Sequence, residues 1–316
     1  MTITLLANAK INPTLQVLGR REDGFHELVT TMLALDFGDV VSVSATESPA
    51  GSDVVETSVR GELASPDIPT DGSNLAARGA LLGRDAAGST EALSIQVLKN
   101  VPSRAGLGGG SADAAAAARA AVVELGEEES CLDGRLGPLG SDCAFFLSAR
   151  RTGAALALGR GEEVTPLEGP RGWWIALLTP EVECSTPAVY SALAARPAAP
   201  TPGWRVRAES RARELFGLSA LEARAALTND LEPAARAAAP GLLPWFALLE
   251  AESAAHFRLA GSGSSFFGLF DDEPSARESL GRIEASAAAQ GLGVRLSLVT
   301  RPAGSALTTV RGGDLG

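Results

Sequence analysis

Pro102-Ser103-Arg104-Ala105-Gly106-Leu107-Gly108-Gly109-Gly110-Ser111-Ala112 is the stretch on which the reading of this chain turns. A strand-like run precedes it, with Leu93, Ile95 and Val97 alternating with Ser94, Gln96 and Leu98. A helix-like run follows it, Asp113 to Leu125, stopped by Gly126. Strand, glycine loop and helix start make a phosphate site, because glycines let the backbone approach an anion and a helix N-terminus offers unpaired N–H groups. The loop is neither of the two commoner phosphate loops. No Gly-Lys pair exists in the chain, which excludes a Walker A loop, and a G-x-G-x-x-G pattern begun at Gly106 meets Ser111 where its third glycine belongs. The plain alternative is a flexible glycine-rich turn.

Lysine usage points to the same region. Of 27 basic residues only Lys10 and Lys99 are lysines. A surface that needs charge alone takes either cation, whereas a site that needs a compact ammonium does not accept a planar guanidinium. Lys99 lies just before the glycine loop and Lys10 ends an apolar run. Two leftover surface lysines are the competing reading.

The bulk of the chain bounds what surrounds this loop. Its 316 residues suffice for one large or two modest domains, and 45% hydrophobic with 21% charged residues is ordinary for a globular protein. The heavy use of alanine, arginine and glycine reads as coding bias and not as a structural signal. A net charge of −11 argues against nucleic acid as a partner. Cys131, Cys143 and Cys184 show neither metal spacing nor a disulfide framework, which suggests a reducing compartment. The N-terminal residues lack a signal-peptide pattern and no run approaches the ~20 apolar residues of a membrane span, so a soluble, cytoplasmic protein is expected, with no membrane partner.

Along the chain, the first forty residues read as strands, with a hairpin turn at Arg20-Arg21-Glu22-Asp23-Gly24. A strand of uncertain register is expected at Val54–Val59, and a helix from Asn74 to Leu82. Ala154 to Leu158 and Trp173 to Leu178 are strand-like. Residues 195–203 form a Pro-rich loop before a helical block that runs to about Ala254. A helix over about Glu273 to Gln290, a strand at Val294 to Thr300 and a frayed tail end the chain. The domain break is expected near residues 150–165, giving an N-terminal domain over 1–155 and a C-terminal domain over 156–316.

Three motifs in fixed order, Ala9-Lys10-Ile11-Asn12, the glycine loop, and Gly261-Ser262-Gly263-Ser264-Ser265, resemble those of the GHMP kinase superfamily, named for galacto-, homoserine, mevalonate and phosphomevalonate kinases. Four further stretches, Gly19 to His26, Leu139 to Phe146, Ser185 to Tyr190 and Asn229 to Glu232, are similar to the members that phosphorylate a cytidine-diphosphate sugar alcohol on the non-mevalonate route to isoprenoids. Departures from that pattern are Phe25 in place of Tyr, which keeps a stacking ring and loses a hydroxyl, Asn8 and Pro13 in place of Pro and Leu, and Cys143-Ala144 in place of Val-Pro.

The resemblance implies an α+β, two-lobed fold with an N-terminal nucleotide-binding lobe, a C-terminal ferredoxin-like lobe and the active-site cleft between them. It implies an ATP-dependent phosphotransferase acting on the 2-hydroxyl of the cytidylated alcohol, with Mg²⁺, as a monomer or homodimer. Phosphoryl transfer asks the protein for positioning and charge neutralisation. Pro102, Ala105, Gly106, Leu107, Gly108, Gly109, Gly110, Ser111 and Ala112 would then hold the phosphates, with Lys99 and Asn74 on the adenosine side; Asn74 reads equally as the N-cap of the helix it starts. Ser111 reads either as a hydroxyl for Mg²⁺ or as the N-cap of the following helix. Asp142 reads as the base that takes the proton of the alcohol, or as a helix N-cap. Lys10 would face Asp142 and the γ-phosphate. Asn12, Phe25, His26, Thr186, Tyr190, Gly261, Ser262 and Gly263 would line the substrate. His256 lies outside every motif, and Arg104 either reaches a phosphate or faces solvent. The competing functions are a kinase for another small alcohol of the homoserine or mevalonate class, and a non-catalytic nucleotide-binding protein on the same fold.

Overall fold

The computed structural model describes residues 1–46, 55–193, 201–252, 254 and 256–310. Two strands of unusual length, β1 (Thr2–Arg20) and β2 (His26–Thr46), form an antiparallel ribbon that turns at residues 21–25, where the polar turn was expected. The chain continues through β3 (Val55–Arg60), α1 (Leu75–Ala86), β4 (Ala92–Leu98), α2 (Gly109–Glu124), α3 (Ser141–Ser148), β5 (Gly153–Gly159) and β6 (Glu163–Glu168). Strands β1 to β6 share one mixed eight-stranded sheet with two later short strands, β8 (Thr228–Asn229) and β12 (Leu307–Thr309), both of which pair with β1. Of the strand expected at Val54–Val59, Val54 lies outside the described residues and the rest is β3; the expected Pro-rich loop lies outside them except for residues 201–203.

Strand β7 (Trp174–Pro180) opens the second lobe. Helices α4 (Thr186–Ala192), α5 (Trp204–Gly217), α6 (Ala220–Ala223), α7 (Glu232–Ala238) and α8 (Leu243–Ala251) follow, then β9 (Arg258–Leu259), β10 (Phe266–Phe270), α9 (Glu273–Ala289) and β11 (Val294–Thr300). The four long-range strands order as β11-β7-β10-β9. Numbered by appearance that is 4-1-3-2 with helices after the first and third, which is the ferredoxin-like arrangement. The block expected to be helical to Ala254 is interrupted at β8, where residues 228 and 229 pair in parallel with Thr14 and Leu15 of β1. The break expected at 155/156 falls inside β5, whose pairing with β2 and β6 keeps both strands in the first sheet; the lobes part instead between β6 and β7.

β1 explains how the lobes are joined. Leu5 and Ala7 sit in the first core, Ala9 and Ile11 in a second between sheet and C-terminal lobe, and Leu15 and Val17 in a third. Alternation therefore fails from Ala7 to Pro13, where every residue is buried, because that part of the sheet is covered on both faces.

Two helix features depart from the sequence reading. The alanines are not mere coding bias: α1 lies directly on α2, so that a Cβ on Gly79 would stand 2.1 Å from the Ala114 carbonyl oxygen and one on Gly83 2.3 Å from that of Ala118. Only glycine facing alanine allows backbones this close, and Ala112 with Ala114 to Ala118 is fully buried as a result. Further, α2 starts at Gly109, four residues before the apolar pattern, because Gly108 takes a left-handed N-cap conformation at φ 73°. The helix thus begins inside the glycine loop, and its first two residues are glycines, whose propensity argues against helix.

Candidate active site

A cleft of about 1130 Å³ runs between the lobes and is lined by all three motifs. Lys10 lies at its centre. The strand β1 carries it into the interior, where it is almost wholly buried, and its Nζ stands 2.8 Å from Asn12 Oδ1, 2.8 Å from the Gly106 carbonyl oxygen and 3.5 Å from Asp142 Oδ2. The Lys10 backbone N–H also donates to the Leu107 carbonyl at 2.9 Å. One ammonium, with three N–H donors, therefore ties the glycine loop to the carboxylate on α3. It is not a surface lysine.

Asp142 occupies the first turn of α3, and the N-cap is Gly140, so the capping alternative for Asp142 does not hold. Its side chain remains 35% exposed toward the cleft, the accessibility a group must have to meet a ligand. Asn12 reaches the cleft, but its amide is engaged: Oδ1 accepts from Lys10, and Nδ2 donates to Thr30 Oγ1 at 2.9 Å. Its first task is to fix the direction of the Lys10 ammonium.

The glycine loop is shaped by neighbours on the opposite lobe. Gly106 has φ 77°, and a Cβ there would lie 2.0 Å from the Ala260 carbonyl oxygen. A Cβ on Gly108 would press Lys10 Cγ at 2.9 Å, and one on Gly261 would stand 3.1 Å from Lys10 Nζ. The two small-residue motifs are thus in contact, with Lys10 between them. Pro102, Ala105 and Leu107 also line the cleft, as do Gly109, Gly110 and Ser111. Ala112 does not: it points into the packed interface of α2 and is fully buried. Ser111 lies in the first turn of α2 and is not its N-cap, so its hydroxyl is not spent on capping.

Lys99 departs from the expected nucleotide contact. Although it lines the cleft, its Nζ is held by Asp39 and, at 2.8 Å, by Asp113 Oδ2. Asp39 also accepts from the Asn100 and Val101 backbone N–H groups, at 2.6 and 2.8 Å. This buried triad pins the entry of the glycine loop and the second turn of α2 to β2. Burial pushes the Lys99 ammonium down, yet Asp113 and Asp39 outweigh it and hold it above the ordinary lysine value. For Asp113, burial dominates; Asp39 adds to it against Lys99, and the carboxyl is pushed up to about 8 from 3.8. A carboxyl with a raised folded pKa contributes stability that is fully present at low pH and is lost as pH climbs through the folded value. Asp113→Asn is therefore expected to abolish a decline in stability between about pH 4 and pH 8 that the parent shows in urea unfolding; equal slopes in the two proteins would refute this. Neither Asp39 nor Asp113 was singled out in the sequence. The only available signal was Asp113 in an otherwise apolar stretch of helix.

Asn74 likewise works inside the protein: its Oδ1 caps α1 through the Ala76 N–H, and its Nδ2 donates to the Pro69 carbonyl, placing residues 65–69 along the cleft.

At the other end, His26 meets Tyr190 with ring centroids 5.3 Å apart, and Phe25 is 53% exposed beside them. Burial and then the Arg20 charge hold the His26 imidazole below its ordinary 6.5, so it is neutral at pH 7. Burial, reinforced by Asp142, pushes the Tyr190 hydroxyl up. Thr186 Oγ1 and Ser262 Oγ share a 2.7 Å hydrogen bond across the cleft wall. Gly263 does not reach the cleft; a Cβ there would meet Leu259 and Cys184. Asn229, in β8, donates to the Leu259 and Gly261 carbonyls and so holds the second small-residue turn. Arg104, at φ 54°, pairs with Glu183 at 3.0 Å on the rim. His256 lies away from the cleft, against Phe257 and Phe270.

Residues 74–133 match the family model for the GHMP kinases N terminal domain, and residues 210–288 the model for the GHMP kinases C terminal. The 4-diphosphocytidyl-2-C-methyl-D-erythritol kinase of Heliobacterium modesticaldum (strain ATCC 51547 / Ice1) is 40% identical over 200 residues, a match that spans 63% of this chain and 60% of that protein. The enzyme of the same name from Geobacter sp. (strain M21) is 34% identical over 284 residues, spanning 89% of this chain and 94% of that one. A crystal structure of 4-(cytidine 5'-diphospho)-2C-methyl-D-erythritol kinase superposes with a TM-score of 0.66 at 29% identity, covering 96% of this chain and 100% of that one.

Proposed function

This chain belongs to the GHMP kinases, in the family of the 4-diphosphocytidyl-2-C-methyl-D-erythritol kinases, and from that membership we propose how its cleft transfers a phosphoryl group from ATP to the 2-hydroxyl of 4-diphosphocytidyl-2-C-methyl-D-erythritol. The enzyme is a phosphotransferase with an alcohol acceptor, in isoprenoid precursor synthesis. The observation that carries the mechanism is Lys10 Nζ, set between the Gly106 carbonyl of the phosphate loop and the Asp142 carboxylate.

The triphosphate lies along Gly106 to Ser111, its oxygens facing backbone N–H groups and the start of α2. Asp142 accepts the proton of the attacking hydroxyl, which raises the nucleophilicity of the oxygen as it meets the γ-phosphorus. Lys10 orients the Asp142 carboxylate through their ion pair and offsets charge on the moving phosphoryl group. Both roles need a position fixed to a fraction of an ångström, and the bonds from Asn12 and Gly106 provide it. Among the described residues no group of three or more His, Cys, Asp or Glu side chains is placed to hold a metal ion. Mg²⁺ suits oxygen ligands and commonly takes several from phosphates and water, so the Ser111 hydroxyl and the nucleotide are donors that fit it. When bound, it supplies charge neutralisation at the phosphates.

Phe25, His26 and Tyr190 form the wall for the cytosine. A neutral imidazole offers one donor and one acceptor to a base edge, and the rings offer stacking area. This wall favours a pyrimidine nucleotide over homoserine or mevalonate, which have nothing to stack. The three unpaired cysteines support a cytoplasmic location. No helix among the described residues is long and apolar enough to cross a membrane. The test is ADP release measured with the cytidylated alcohol, homoserine and mevalonate in parallel. Turnover with the first alone is expected; turnover with either of the others and none with the first would reverse the substrate assignment.

A further inference from the structure

Five cationic side chains line the cleft: Lys10, Arg20, Lys99, Arg104 and Arg160. Lys10 faces Asp142, Arg20 Nε donates to the Gly24 carbonyl at 3.1 Å within its own turn, Lys99 is held by Asp39 and Asp113, and Arg104 pairs with Glu183. Arg160 is arranged differently. It occupies the tight turn between β5 and β6, flanked by Gly159 at φ 72° and Gly161 at φ 104°. One carboxylate fixes it at both ends, since Glu162 accepts from the Arg160 backbone N–H and, at 3.3 Å, from its Nε. That carboxylate fills the place of a Gly159 side chain, where a Cβ would meet Glu162 Oε2 at 2.8 Å.

The guanidinium so fixed lies over the Phe25 ring, 4.6 Å from its centroid. Its Nη1 and Nη2 make no hydrogen bond with the described residues. On the other side of the turn, the Cβ position of Gly161 is 3.4 Å from Cβ of Ser141, the residue before Asp142. Arg160 therefore stands between the ring that meets the base and the helix turn that carries the carboxylate. In a substrate whose base is at Phe25 and whose alcohol is at Asp142, the diphosphate that joins the two passes this point.

We infer that Arg160 is a specificity-determining residue that binds the diphosphate of the cytidylated substrate through its outward N–H groups, its planar guanidinium lying over Phe25. The inference rests on the reading of the cleft given above. A guanidinium presents parallel donors matched to phosphate oxygens, and such charge-assisted bonds are about twice as strong as neutral ones. The pair to Glu162 does not oppose this, because it uses Nε and leaves the fork.

The experiment compares cytidine, CMP and CDP as competitive inhibitors against the cytidylated alcohol, in the parent enzyme and in Arg160→Gln and Arg160→Lys. In the parent, CDP binds more tightly than cytidine. In Arg160→Gln, cytidine binding is unchanged and the advantage of CDP over cytidine falls by about ten-fold, the loss of roughly one charge-assisted bond. The KM for ATP stays constant, and Arg160→Lys regains part of the advantage. An undiminished CDP advantage in Arg160→Gln overturns the inference. So does an equal weakening of cytidine and CDP, which would make Arg160 a brace for Phe25 alone. If none of the three binds the parent, the cytidylate reading itself falls, and the two failures are thereby distinguished.

Discussion

Asp142→Asn is expected to lower kcat by about 10²–10⁴ while leaving the affinity for ATP unchanged. The substitution keeps the size of the side chain and its place in the first turn of α3, and removes only the ability to take a proton and the negative charge. Lys10 keeps Asn12 and Gly106 as partners, so the loop that holds the nucleotide is not released. The loss therefore appears in the chemical step. Two measurements separate the effects: steady-state turnover with the cytidylated alcohol, and direct ATP binding by calorimetry. A variant with parental turnover would remove Asp142 from the mechanism. A variant with lost ATP affinity would mean that the carboxylate instead organises the nucleotide site through Lys10.

The second large effect is expected at Gly106. An alanine there places Cβ 2.0 Å from the Ala260 carbonyl oxygen and 3.0 Å from both N and O of Gly263. These are backbone atoms and cannot swing aside, so either the glycine loop or the turn at Gly261 must move. Either motion pulls on Lys10, which is bonded to the Gly106 carbonyl and would touch a Cβ on Gly261. Gly106→Ala is expected to raise the KM for ATP by at least about ten-fold and to reduce kcat as well, since a misplacement of about 1 Å can cost 10²-fold. Gly134 provides the control. It has φ 74°, much like Gly106, but a Cβ there has nothing within 4 Å. Both alanine variants bear the left-handed strain of about 1–2 kcal/mol, and only Gly106 adds the collision. Similar kinetics in the two would show that contact between the two small-residue turns does not shape the site.

Local signals carried much of this architecture. The alternation at Leu93 to Val97, the helix at Glu273 and the strand at Val294 all lie where side-chain periodicity places them. The glycine loop was legible because its meaning depends on neighbours in sequence, and Lys10 because lysine is so rare in this chain. What stayed hidden depends on neighbours in space. Asp39 lies sixty positions before Lys99, and nothing in its surroundings distinguishes it from a strand-end carboxylate. Ala112 belongs to the glycine-loop motif that the resemblance places at the phosphates, but a helix turns it by about 100° from Ser111 into the core. The start of α2 at Gly109 could not be read from propensity, because the cap geometry of Gly108 overrides it. Arg160 carries no distinguishing mark among so many arginines. Only the Phe25 ring beneath it and the Glu162 carboxylate behind it give it direction.

β12 returns from the end of the ferredoxin-like lobe to cover the outer side of β1, pairing Leu307 with Ala7, Thr308 with Leu6 and Thr309 with Leu5. During synthesis, that margin of the first sheet stays bare until the ribosome has delivered residue 309, long after the lobe it belongs to has otherwise been made.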